Sequence, residues 1–179
     1  LARLIPGLTA LGPGGAPGPD YRLATVTHAR LGERALGIAP GWAELLVTLR
    51  AVDDGGLERM LETATALARS EAEQAGLRID CHVEDHFAAC HNHPEATAIL
   101  ARALAASGIP HSAGALPMRA SEDFGLFGAV SKTAMVFLGA GEDHAALHNP
   151  DYDFPDSLIA PGVAVFGAIA REMLGDATC

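Results

Sequence analysis

Basic residues are scarce in this chain: 12 Lys and Arg stand against 22 Asp and Glu in 179 residues, for a net charge of −10 and a pI near 5.1. Nucleic-acid binding draws on a surplus of cations to neutralise phosphate, so the balance argues against that partner class. Aromatic residues are also few, 5% beside a hydrophobic content of 49%, so a core must be built from Ala, Leu, Val and Ile. Cysteine is limited to Cys81, Cys90 and Cys179. An odd set with no CxxC spacing predicts neither structural zinc nor a disulfide framework, but free thiols of a reducing compartment, and the cytoplasm is the expected location. No apolar run approaches the roughly 20 residues of a membrane helix, so no membrane partner is expected.

The first residues, Leu1-Ala2-Arg3-Leu4-Ile5-Pro6, lack both a charged leader with an apolar core and an initiator Met. They read as a helix already under way in a processed or truncated chain. GxSxG, GxxxxGK[ST], HExxH and GxGxxG are all missing, which leaves serine-hydrolase, P-loop and dinucleotide readings without support. A charged fraction of 19% and a mean hydropathy of +0.21 are those of a folded chain.

Residues 1–11 have helical spacing and end in Gly12-Pro13-Gly14-Gly15. Residues 21–29 and 44–51 read as strands, and the Gly-containing loop between them predicts an antiparallel pair. Asp53 then caps a helix over 56–75, with Leu57, Met60, Leu61, Ala64, Leu67 and Ala68 on one face and Gly76 at its end. The alternation of Leu77, Ile79, Cys81 and Val83 predicts a third strand over 77–87. Pro94 opens a helix that runs to Ser107 and closes at Gly108. Residues 134–139 form a short apolar run that fits a buried strand. A last helix is predicted over 157–174, with Leu158, Val163, Phe166, Ile169, Ala170 and Met173 as its apolar positions. The first part has the rhythm of a ferredoxin-like sandwich without its first strand, and the second resembles a piece of an α/β layer.

Three groups of residues invite chemistry. His148, in the loop Leu147-His148-Asn149-Pro150, is a neutral imidazole among acidic residues, suited either to a divalent metal or to plain hydrogen bonding. Glu122-Asp123 lies beside Phe124 and Phe127, which predicts partial burial. It reads equally as a helix cap introduced by Ser121 and as part of an active site. His82, His86, His91 and His93 look like a metal tract. In a strand, however, His82 and His86 would sit about 13 Å apart, too far for one ion, so they are read as loop or solvent-facing histidines.

SEDFG at 121–125, VFLGAG at 136–141 and LHNPDYDFPD at 147–156 resemble, in order and spacing, the end of the aminoacylase and hippurate hydrolase family. These are co-catalytic metallopeptidases and amidohydrolases that include auxin-conjugate hydrolases. APGWAELLVTLRA at 39–51 is similar to the hairpin of the family's lid, and FAACHNHP at 87–94 to the end of that lid. The resemblance implies an α/β protein in two parts. Residues 1–90 would be an incomplete ferredoxin-like lid that dimerises, and 91–179 the C-terminal segment of a catalytic domain. It implies a pair of divalent ions, zinc or manganese, that activate water against the amide of an N-acyl amino acid or related small molecule. His148 would be a metal ligand. Glu122 and Asp123 would stand behind the ligands at the catalytic centre, and Arg50 and Asn92 would contact substrate. Gly37-Ile38-Ala39-Pro40 departs from the family's Asn-Val-Ile-Pro turn, and Val47 stands where a Gly is usual. The family's other ligands and its Glu base, in CxHD, Glu-Glu and GxHA motifs, have no counterpart here, so this chain alone is expected to be inactive. The rival expectations are a non-catalytic dimerisation module and, last, a ferredoxin-like small-molecule sensor.

Overall fold

The computed structural model describes residues 1–114 and 116–175. Its mixed α/β chain divides into two compact units, Leu1–Ala89 with Ala115–Asp123, and Cys90–Gly114 with Phe124–Cys179.

In the first unit a short helix α1 (Leu4–Ala10) leads to strands β1 (Arg22–Leu31) and β2 (Ala43–Ala51), which pair antiparallel, and then to helix α2 (Asp54–Gln74). The pairing runs from Arg22↔Ala51 to Val26↔Val47, skips Thr27, and resumes from His28↔Leu46 to Leu31↔Ala43. The skipped residue is a β-bulge, and it resets the parity of β1. Ala24, Val26, Ala29 and Leu31 thereby share one face with Leu49, Val47, Leu45 and Ala43, although their numbers change from even to odd. This is why the sequence alternates only roughly.

α2 begins where the pattern requires. The Asp53 carboxylate accepts the amide of Gly56 at 2.7 Å, and Gly76, at φ +64, follows the last turn. Every residue of its predicted face is buried or half-buried, with Met60 3% exposed. α2 packs on β2 and α1, and Arg3 on the α1 side bonds Glu71 at 2.7 Å. Gly12 is needed because the loop after α1 lies directly against β1. A Cβ there would stand 2.6 Å from the backbone of Leu23 and Ala24, and the Ala24 amide donates to the Gly12 carbonyl.

The second unit is built on helices α3 (Pro94–Ala106) and α4 (Ile159–Leu174), packed through Ala103, Leu104 and Val165. Arg102 on α3 pairs with Glu172 near the end of α4. Short 3-10 turns span Asp123–Ala129 and Asp156–Leu158.

Three sequence expectations fail. Residues 77–87 form no strand: their side chains are exposed or half-buried, and no backbone hydrogen bond joins them to the sheet among the described residues. Alternation records two unlike faces, but a strand also has to pair with an edge, and among the described residues this segment pairs with neither edge of the two-stranded sheet. With no strand formed, the 13 Å spacing used against His82 and His86 does not apply either. Residues 134–139 likewise form no strand and are not buried, Phe137 being 54% exposed. The last helix forms as expected, and of its apolar positions Ile169 packs against α3 beside Val165 and Ala168, while Val163, Phe166 and Met173 stay exposed. Finally, Asp156–Leu174 is a continuous helical stretch of 19 residues with hydropathy 1.4, long and apolar enough by length and composition to cross a membrane. One side of it packs on α3, where Val165 is buried and Glu172 pairs with Arg102, and the rest of it is uncovered.

Candidate functional site

The loop that carries His148 is two tight turns in succession. The Asn149 amide donates to the Ala146 carbonyl at 3.1 Å, and the Tyr152 amide to the Asn149 carbonyl at 3.0 Å. His148 occupies the third position of the first turn with φ +70, the left-handed value of a type II turn. Pro150 takes the second position of the next turn, where its fixed φ fits. A left-handed L-residue other than Gly costs about 1–2 kcal/mol, so the histidine stands where glycine would be easier. Its ring is exposed to solvent.

Arg50, on β2, reaches the start of the SEDFG block. Its Nη1 donates to the Arg119 carbonyl at 2.7 Å and to the Ser121 hydroxyl at 3.1 Å. Arg119 in turn lies over the Tyr21 ring at 5.3 Å and donates to the Gly15 carbonyl at 2.6 Å. Two guanidinium groups thus fasten the 116–121 stretch to the first unit. Ser121 spends its hydroxyl on Arg50. Glu122 and Asp123 are exposed, which corrects the partial burial expected from their phenylalanine neighbours. Phe127 is itself 58% exposed and packs on Phe124 at 5.7 Å rather than over the carboxylates.

Asn92 acts as a two-point clamp. Its Nδ2 donates to the Met135 carbonyl and its Oδ1 accepts the Met135 amide, both at 2.9 Å, the pairing that a strand neighbour would supply. The next residues reinforce it. The His93 amide donates to the Thr133 carbonyl at 2.7 Å, and Lys132 bonds Glu95 at 2.5 Å. His93 Nδ1 accepts the Glu95 amide and so serves as the N-cap of α3. Lys132, by hydrogen bond and by charge, holds the Glu95 carboxyl below its usual range.

Arg50, Glu122 and Asp123 therefore belong to the first unit, and Asn92 and His148 to the second. Among the described residues no three His, Cys, Asp or Glu side chains gather as metal ligands, and Cys81 and Cys90 are free thiols. A catalytic ion ordinarily takes three protein ligands, so the described residues of this chain do not form a metal site by themselves. Cys179 lies outside the described residues.

One residue escaped the sequence reading. His144 is half-buried, with Nδ1 2.8 Å from the Ala145 carbonyl and the Tyr152 ring edge-on at 5.3 Å. Its only sequence signal is its place four residues before His148.

The chain matches the model of Peptidase family M20/M25/M40 over residues 6–172. It belongs to that family. No curated protein and no solved structure matches the chain. The M20 family is one of metal-dependent hydrolases of the peptidase kind, and its members generally use divalent metal ions. Within an M20 chain the mixed α/β fold, with its small antiparallel sheet, is compatible with a lid and the C-terminal piece of a catalytic domain.

Proposed function

We propose that this M20 chain serves an amidohydrolase that cleaves the amide of N-acyl amino acids or related small molecules, and that His148 is its contribution to the metal centre. The observation that carries the reading is the left-handed φ of His148 within a chain matched to the family over 6–172. The remaining ligands, of a pair of zinc or manganese ions, come from outside this chain. Arg50 and Asn92 shape the substrate side. The clamp on Met135 makes Asn92 a residue that positions the backbone leading towards the LHNP loop. Glu122 and Asp123, exposed beside the Arg50-bound Ser121, support the same centre. In this reading residues 1–90 act as the lid and pair with a second copy, and residues 91–179 complete the catalytic domain.

The test has two arms. Calorimetric titration of Zn2+ or Mn2+ into this chain gives weak binding that His148→Ala removes, with no hydrolysis of N-acyl amino acids. Tight stoichiometric binding, or turnover by the chain itself, contradicts the division of ligands. The reading frame before Leu1 supplies the second arm. CxHD, Glu-Glu and GxHA motifs there support the hydrolase. A start codon at Leu1 instead favours a dimerisation module that kept the fold and lost the chemistry. Sedimentation of the chain as a monomer at all concentrations would remove the pairing of lids from the proposal.

A further inference from the structure

Residues 146–151, with His148 among them, are all exposed, so the LHNP loop has no packing of its own to hold its shape. Across 141–154 only His144, Ala145 and Tyr152 are half-buried. His144 stands four residues before His148 and Tyr152 four after it. Their rings meet edge to face, with centroids 5.3 Å apart and planes at 73°. The loop is therefore closed at its base by one side-chain contact, the way compact surface loops with neighbouring ends are held.

Both sides of that contact are tied to the backbone. His144 Nδ1 stands 2.8 Å from the Ala145 carbonyl. The Tyr152 amide donates to the Asn149 carbonyl at 3.0 Å, and the Asn149 amide to the Ala146 carbonyl at 3.1 Å. The Tyr152 ring is thus joined, through two successive turns, to the position that His148 occupies at φ +70. A non-glycine residue with nothing to hold it leaves the left-handed region. An edge-on aromatic contact contributes about as much as that excursion costs, so a single contact can decide between the two backbone states.

We infer that the His144–Tyr152 contact is a clasp that keeps His148 in its left-handed backbone and so sets the direction in which its side chain leaves the loop. His144 and Tyr152 are positioning residues, acting through the two turns. The purpose of the clasp rests on the reading of His148 as a metal ligand. The conformation it imposes does not, and is measured without metal.

A left-handed backbone brings a residue's amide and Cα protons close together, so in isotopically labelled chain His148 gives a strong nuclear Overhauser cross-peak between them. Tyr152→Leu keeps bulk but removes the ring edge. It shifts the equilibrium away from the left-handed state about three- to tenfold and weakens the cross-peak. His144→Leu does the same, and the double variant no more than either alone, because all three lose one shared contact. Tyr152→Phe retains the ring edge and the cross-peak. Unchanged amide resonances in α3 and α4 show that a variant is folded, and either leucine variant carries the test if the other is not. The inference is overturned if the cross-peak stays strong in the leucine variants, if Tyr152→Phe loses it, or if the double variant loses clearly more than each single one. Absence of Zn2+ binding at His148 would remove the metal reading and leave these outcomes as they are.

Discussion

At the scale of single residues, the backbone of His148 and that of Gly12 make opposite demands. His148 sits at φ +70, where glycine has no steric cost. His148→Gly is expected to leave the chain as stable as before or up to about 1 kcal/mol more stable in urea unfolding. A loss above that amount would make the imidazole a structural prop and remove the main argument for its function. Gly12 is bound by contact instead, with backbone 2.6 Å from any added Cβ. Gly12→Ala must push the loop off β1, and a loss of about 1–3 kcal/mol is expected from such overpacking. An unchanged midpoint would show that the loop shifts freely. The sequence made His148 visible through the company of its neighbours. It could not show that Asn92 turns both ends of its amide to Met135, because a clamp is a relation between residues 43 positions apart. Nor could it show that Glu122 and Asp123 are exposed, since neighbouring phenylalanines reveal nothing of which way they pack.

At the scale of elements, legibility depended on contrast. α2 could be read because its apolar stripe faces a polar back and both ends are marked, by Asp53 and by Gly76. α4 is legible as a helix but not by its face, because apolar residues surround it and only the contact with α3 selects one. The predicted third strand shows the remaining limit, since residues 77–87 have the alternation of a strand but pair with no strand among the described residues. The start of α3 gives an electrostatic test. Glu95 titrates below its ordinary value of 4.5 because Lys132 favours its charged form. A depressed carboxyl stabilises the fold above its unfolded value, and that gain disappears as pH falls through the lower folded value. Glu95→Gln should therefore weaken the anchoring of 132–135 at neutral pH and make no difference once the carboxyl is protonated. The effect should shrink in roughly 1 M salt, because the pair is exposed. Amide exchange at Met135 measures it. Equal exchange in parent and variant at neutral pH would show that the Asn92 clamp holds the segment without the ion pair.

At the scale of the whole molecule, two properties pull against each other. Leu46, Phe127, Val136, Phe166 and Met173 are among many large apolar side chains left more than a third exposed. Exposed apolar surface promotes association, and a net charge of −10 opposes it at neutral pH. Solubility should thus be lowest near the pI of 5.1, with light scattering there rising with protein concentration and falling as the pH moves to either side. Scattering that is flat across that range would mean the apolar side chains are covered in solution. The family match is a statement at this scale too, since it spans residues 6–172 and so both compact units.

The bulge at Thr27 gives the hairpin an unusual arithmetic. Its side chain reaches only the Leu46 carbonyl, at 3.4 Å, so exchanging Thr27 for Ser or Val changes little. Losing the residue altogether leaves the faces as they are, because Val26↔Val47 and His28↔Leu46 are already successive pairs, and Ala29 and Leu31 stay opposite Leu45 and Ala43. Here the hairpin keeps its two faces under a change of letter and under a change of count alike, and related sequences should both vary at this position and omit it, at the cost only of the local twist that the bulge adds.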